Sequence, residues 1–274
     1  MVLENTKYNK VINKSVAKCG FCGKELKPIG YEYLYKNITP CQIEYERCDC
    51  IKAKEYWQNE DKKNHLAEKQ KHYKQIIDKI YKENYMGKRF QKYNFENFNI
   101  NVYNEKSVEI AKDFIDKIIK NDATDGLIIT GKSGVGKTHL AASIAKRLIE
   151  NDKIVLMGRL NSLLDMIKET FKDNTKSEKE LIDLYSNVDM IIIDDLGTER
   201  ISQWVLEKFY TIIENRIENK LPIIITTRFN KDGLINRFKQ SQDEELVKAV
   251  IAKLYQNCYG IILKNEKKLA EATN

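Results

Sequence analysis

Gly131-Lys132-Ser133-Gly134-Val135-Gly136-Lys137-Thr138 is a glycine-rich segment near the middle of the chain. It fits G-x-x-x-x-G-K-[ST], the spacing of a phosphate-binding loop. Ahead of it, Gly126-Leu127-Ile128-Ile129-Thr130 is a short apolar run that reads as a buried strand. Behind it, residues 139–149 carry apolar side chains at helical spacing. Glycines let the backbone curl so that successive N–H groups point at phosphate oxygens, and the helix N-terminus adds its partial positive charge. Gly131, Ser133, Gly134, Val135, Gly136, Lys137, Thr138 and His139 are therefore the predicted nucleotide-binding residues. Lys137 is expected to reach the β- and γ-phosphates of ATP, and the Thr138 hydroxyl to ligate Mg²⁺.

Toward the C-terminus, residues 153–157 read as a second strand, 161–171 as a helix and 172–178 as a loop. Val188-Asp189-Met190-Ile191-Ile192-Ile193-Asp194-Asp195 is an apolar strand ending in an acidic pair. Downstream of Lys137 in a strand–helix alternation, such a pair supplies Asp194 for Mg²⁺ and Asp195 to orient or deprotonate the attacking water. Residues 202–219 read as a helix and 221–227 as a fourth buried strand. In open parallel sheets the ligand crevice lies outside the carboxyl ends of the strands, so Thr227 is expected beside the acidic pair, sensing the γ-phosphate. A helix over 244–255, a closing strand over 260–263 and a lysine-rich tail over 264–274 complete the domain.

Toward the N-terminus, Ser107 is positioned as the cap of a helix over 108–120, and Phe90, Phe95 and Phe98 mark the entrance to the domain. Residues 52–89 hold eleven Lys/Arg against six Asp/Glu, with a sparse stripe of Leu66, Tyr73, Ile77 and Ile80 at helical spacing. They read as one long helix or two joined helices, either a basic arm for nucleic acid or a partner, or a solvated connector. Before them, five of the six cysteines crowd between Cys19 and Cys50. Cys19-Gly20-Phe21-Cys22-Gly23 has the form of a zinc knuckle, and Cys48-Asp49-Cys50 supplies a second pair. Cys19, Cys22, Cys48 and Cys50 are the predicted zinc ligands, closed and structural, with Cys41 as substitute or bystander; Cys258 reads as a small core residue. Residues 1–18 carry little pattern, a tail or a short docking helix.

The expected organisation is a zinc-binding docking module over 1–51, a charged helical linker over 52–89 and one α/β ATPase domain over 90–274. A chain of 274 residues is long enough for this. Net charge +7 at 32% charged residues points to an anionic partner, nucleic acid first. With no long apolar run and no signal-like opening, the expected location is cytoplasmic, away from membranes, where clustered cysteines bind metal rather than form disulfides.

The chain resembles the bacterial and phage replicative helicase loaders of the DnaC and DnaI type, a branch of the AAA+ ATPases with a parallel central sheet. The resemblance rests on residues 131–140 and on Ile191-Ile192-Ile193-Asp194-Asp195-Leu196-Gly197-Thr198-Glu199, together with residues 209–216 and 221–227. It implies ATP-dependent placement of a hexameric replicative helicase on single-stranded DNA, the zinc module docking on the helicase and the loader self-assembling around it. Two departures stand out. Arg228 follows the paired threonines where the family often has Asn, and Lys253 stands where the family tends to place a trans-acting arginine, which leaves Arg237 or Arg228 to substitute. Transposition helper ATPases of the IstB type share the core, so a transposase-associated ATPase and a nucleotide-gated adaptor with negligible turnover are the rival readings.

Overall fold

The structure is a computed structural model and describes residues 17–27, 45–83, 92–122, 124–173, 178–239 and 243–264. Cys41, most of residues 1–18, Phe90 and all but Lys264 of the lysine-rich tail lie outside them. The chain divides into two compact units, Met1–Lys71 and His72–Asn274. The division falls inside helix α1 (Ile51–Glu83) rather than at residue 51 or 89.

In the first unit, an antiparallel bridge between Lys18 and Glu25 closes the turn that carries Cys19 and Cys22. Its backbone is tied by Cys19 N–H to the Lys24 carbonyl at 2.8 Å and Gly23 N–H to the Cys19 carbonyl at 2.9 Å. The chain returns through Cys48 and Cys50 directly into α1, whose first turn is joined to the knuckle by Lys54 N–H on the Cys50 carbonyl at 2.9 Å. Among the described residues of this unit the buried apolar cluster is Cys19, Cys48 and Ala53, with Leu26, Cys50 and Trp57 packed against them. The Arg47 guanidinium lies 4.6 Å from the Trp57 ring and pairs with Asp61.

The second unit is built on a parallel five-stranded sheet: β1 (Gly126–Thr130), β2 (Val155–Gly158), β3 (Met190–Leu196), β4 (Ile223–Thr227) and β5 (Cys258–Ile262), in the order β2-β3-β4-β1-β5. Both faces of such a sheet are covered, so its strands are apolar at nearly every position, and alternate side chains feed two cores. Leu127, Ile129, Met157, Ile192 and Ile224 pack under α2 (Glu105–Ile119) and α3 (Lys137–Ile149). Ile128, Leu156, Ile191, Ile193 and Ile225 pack under α4 (Leu160–Asp173), α5 (Glu178–Asn187), α6 (Gln203–Glu218), α7 (Lys231–Phe238) and α8 (Glu244–Gln256).

The end of α1 belongs to that second core. Tyr73, Ile76, Ile77 and Ile80 are all buried in it, whereas Leu66, the fourth member of the expected stripe, is 55% exposed. Tyr73 donates to the Asp183 carboxylate, and His72 Nε2 lies 2.6 Å from Glu180 Oε1. Tyr81 OH donates to the Val155 carbonyl at 2.8 Å and accepts from Met157 N–H at 3.1 Å, and burial raises its pKa.

The structure shifts the start of one expected helix and adds two helices where none was expected. Helix α2 starts earlier than expected because Asn101 and Asn104 build the turn: Asn104 Oδ1 accepts from Asn101 N–H at 2.8 Å and Glu105 N–H bonds the Asn101 carbonyl at 2.9 Å. Ser107 is therefore not a cap but a buried first-turn residue whose hydroxyl donates to the Ile262 carbonyl at 3.2 Å. Helix α5 fills the segment before β3, burying Leu181, Leu184 and Tyr185. Helix α7 follows β4, its N-terminus capped by Asn230 Oδ1 accepting from Gly233 N–H at 2.8 Å. Ser202 does cap α6, accepting from Val205 N–H.

Arg216 of α6 is wholly buried. Its Nη1 donates to the Tyr185 and Val188 carbonyls at 3.0 and 2.9 Å, and its Nη2 to the Pro222 and Asp189 carbonyls at 2.6 and 3.4 Å. The guanidinium thus fastens the ends of α5, β3 and β4 to one helix. Burial pulls its pKa down to about 9, with Asp189 opposing.

Candidate nucleotide site and cysteine centre

The phosphate loop leaves β1 at Gly131 and enters α3 at Gly136. Gly131 has φ +153°, and a Cβ there would lie 2.4 Å from the Leu263 carbonyl oxygen. Gly136 has φ +102°, and a Cβ there would meet the Phe98 ring at 3.3 Å. Neither position accommodates a side chain without moving backbone or aromatic neighbours. Lys137 is turned back on its own loop, Nζ donating to the Gly131 and Lys132 carbonyls at 2.8 and 3.0 Å.

Phe98 also borders His139, whose ring stacks on Tyr93 at 4.6 Å. His139 Nε2 lies 2.8 Å from Asn97 Oδ1 and 3.0 Å from the Asn94 carbonyl. Asn94 and Asn97 lock each other, each N–H donating to the other's side-chain oxygen at 3.0 and 2.8 Å. Of the expected aromatics at the domain entrance, Phe98 thus packs beside the first turn of α3, and Phe95 packs against the same core with Lys112 of α2 over its ring.

The acidic pair sits at the C-terminal end of β3, beside that turn. Thr138 Oγ1 donates to Asp194, 2.9 Å from Oδ1 and 3.1 Å from Oδ2, and Asp194 is 4% exposed. A carboxylate and a hydroxyl in contact at the lip of a phosphate loop are two hard oxygen donors, the donor type Mg²⁺ prefers. Asp195 has φ +55° and faces outward, its Oδ2 3.8 Å from Arg228 Nη2. Glu199 is committed elsewhere: Oε2 accepts from Asn161 N–H at the start of α4 at 3.0 Å.

Thr227 does not take the position expected of it. It is fully buried, its hydroxyl donating to the Leu196 carbonyl at 2.7 Å and accepting from Phe229 N–H at 3.2 Å. The neighbouring Thr226, not singled out by the sequence, bonds Asp194 instead, at 2.7 Å. Strand alternation sends adjacent side chains to opposite faces, so only one of two paired threonines can meet the carboxylate, and the pairing alone does not say which.

Of the three cations considered for a trans role, only Arg228 stands at the acidic pair. Arg237 donates to the Gly197 and Thr198 carbonyls of its own chain at 2.9 and 3.3 Å. Lys253 pairs with Glu214 at 2.9 Å, tying α8 to α6.

In the first unit, the sulfurs of Cys19, Cys22, Cys48 and Cys50 all lie within 4.8 Å of one another. Two of the separations are 3.9 Å (Cys19–Cys50) and 3.5 Å (Cys22–Cys48). A tetrahedron with Zn–S bonds of about 2.3 Å has edges of about 3.8 Å, so the four sulfurs fit zinc. Backbone N–H groups of Phe21 and Cys22 hold the Cys19 thiol down at about 7, favouring the ligating thiolate. Cys258 is set apart, its thiol pushed up to about 12 by burial, in keeping with a packing role.

Residues 53–271 match the family model described as IstB-like ATP binding protein. The replicative helicase loader DnaC of Escherichia coli K12 is 29% identical over 145 residues, which is 53% of this chain and 58% of DnaC. The replicative helicase loader DnaI of Bacillus subtilis is 29% identical over 140 residues, 50% of this chain and 44% of DnaI. The chain thus spans about half the length of these curated relatives. Among solved structures, a DnaI crystal structure superposes with TM-score 0.56 at 22% identity, covering 65% of this chain and 94% of that one. The crystal structure of the DnaC helicase loader gives 0.52 at 27% identity, covering 65% and 99%. AMPPCP-bound DnaA from Aquifex aeolicus gives 0.53 at 17% identity, covering 65% and 52%, a likeness of fold. Among the described residues no helix is long and apolar enough to cross a membrane.

Proposed function

The chain belongs to the family of IstB-like ATP binding proteins, and from that premise we propose that it is an ATP-dependent loader that binds a hexameric replicative DNA helicase and places it on single-stranded DNA. The observation that carries this reading is that relatives 29% identical to about half of the chain are named replicative helicase loaders. ATP binds on the loop from Gly131 to Thr138, where Lys137 exchanges its two loop carbonyls for phosphate oxygens. Mg²⁺, when bound, neutralises charge on the phosphates. Thr138 and Asp194 hold it, Asp195 orients or deprotonates the attacking water, and Thr227 supports the strand end rather than sensing phosphate. The four cysteines hold one structural zinc, and the module they organise docks on the helicase. ATP favours assembly of loader, helicase and DNA; hydrolysis releases the loader.

Steady-state ATP turnover, measured alone, with single-stranded DNA and with the replicative helicase of the same host, tests this. The expected result is helicase binding that depends on ATP, turnover stimulated by the partners, and slow turnover with retained ATP binding in Asp195→Asn. Duplex DNA preference with no helicase binding would move the chain to the transposition helpers of its family. Helicase binding with no turnover under any of these conditions would make it a nucleotide-gated adaptor.

A further inference from the structure

The ladder between β3 and β4 breaks at the acidic pair. Ile193 faces Ile225 and Leu196 faces Thr227, so two residues of β3, Asp194 and Asp195, stand against the single residue Thr226. This is a bulge, the device that re-aims a side chain at a strand end. Asp195 takes the extra position with φ +55°, a left-handed conformation that aspartate tolerates better than most residues.

A bulged residue loses its ladder partner, so Asp195 N–H must be satisfied in another way. It donates to Thr226 Oγ1 at 2.8 Å. The same hydroxyl sends its own proton to Asp194 Oδ1 at 2.7 Å. One buried oxygen thus accepts from the backbone of the second aspartate and donates to the carboxylate of the first, in series. Asp194 receives its other hydroxyl from Thr138, whose oxygen keeps its acceptor capacity.

We propose that Thr226 is a positioning residue whose hydroxyl fixes both the Mg²⁺-holding carboxylate of Asp194 and the bulge that aims Asp195. Its donor sets the rotamer of Asp194, and its lone pair holds the backbone of Asp195 in the left-handed turn. Valine has nearly the same shape and supplies neither bond; serine supplies both and lacks only the methyl group. The inference rests on the reading that the site binds Mg²⁺ and ATP.

The test compares the full-length wild type with Thr226→Val, Thr226→Ala and Thr226→Ser. Three quantities are measured: the Mg²⁺ dependence of binding to a fluorescent ATP analogue, kcat and KM for ATP, and melting temperature. Val and Ala are expected to lower kcat by about 10- to 100-fold and to raise the Mg²⁺ concentration for half-maximal effect several-fold. Nucleotide affinity without Mg²⁺ should stay within about 2-fold of wild type, since no phosphate donor is touched. Ser should restore kcat and the Mg²⁺ dependence together. A folded Val variant with wild-type Mg²⁺ dependence and turnover overturns the proposal, as does a folded Ser variant as impaired as Val. If Val does not fold, Ser and Ala behaving alike overturns it and Ser alone recovering supports it. A wild type without turnover under any condition defeats the ATPase reading, and the Mg²⁺ titration then decides the role of Thr226.

Discussion

The two compact units are stabilised by different means. Among its described residues the first buries a handful around four sulfurs, and three of the six concerned are themselves cysteines. The second buries a continuous apolar layer on each face of a five-stranded sheet. The residues described there bury too little apolar area to offset the entropy of ordering their own backbone, whereas those of the sheet domain bury enough. Folding around the four sulfurs is therefore expected to depend on a bound metal, and folding of the sheet domain is not.

The largest expected effect breaks that comparison at its weak side. Removing zinc with a strong chelator, or Cys50→Ser, should unfold residues 17–27 and 45–50, because metal binding contributes about 10–16 kcal/mol to such modules. Amide exchange should rise there and stay unchanged over β1, β3 and β4. Protection of the knuckle that survives metal loss would sink the distinction between the units.

A second, smaller effect sharpens the boundary. A truncated chain beginning at His72 should retain the cooperative melting of the sheet domain. One beginning at residue 90 should lose several degrees or fail to fold, because Tyr73, Ile76, Ile77 and Ile80 leave the core, each worth about 1.5–3 kcal/mol. Equal melting temperatures for the two chains would restore the boundary expected at residue 89.

Third, Arg216→Met should cost about 3–5 kcal/mol in urea unfolding of the sheet domain, since it strands four buried carbonyls, and should leave zinc content untouched. A cost below about 1 kcal/mol would mean that solvent reaches those carbonyls. The smallest effect is Tyr81→Phe. It removes two hydrogen bonds at the edge of β2 and should cost about 1–2 kcal/mol, again confined to the second unit.

Much of the nucleotide core was legible because its signals are local. A phosphate loop needs specific residues at fixed spacing, and a buried parallel strand needs an unbroken apolar run. The elements that escaped are those whose stability is tertiary. Helix α5 has ten residues and is held by Leu181, Leu184 and Tyr185 packing into a core assembled elsewhere. In α7, Gly233 in the first turn weakens the helical signal that Leu234 and Phe238 complete only on burial. The end of α1 reads as a basic arm or a solvated connector because its apolar stripe is sparse and its surroundings charged; what makes Ile77 and Ile80 core residues is the cluster assembled from the rest of the second unit. The choice between Thr226 and Thr227 depends on the bulge in β3, and no residue pattern in β4 announces a bulge in its neighbour.

Tyr81 has a bearing on how this protein behaves in a crowded cell. β2 is an outer strand of the sheet, and its outward-facing Val155 carbonyl and Met157 N–H are the groups a foreign strand would need in order to add itself on. A single phenol oxygen answers both and, being buried, is not readily displaced. The helix that delivers it thus acts as a guard against edge-to-edge aggregation, and losing it would expose a template for misassembly along with a patch of core.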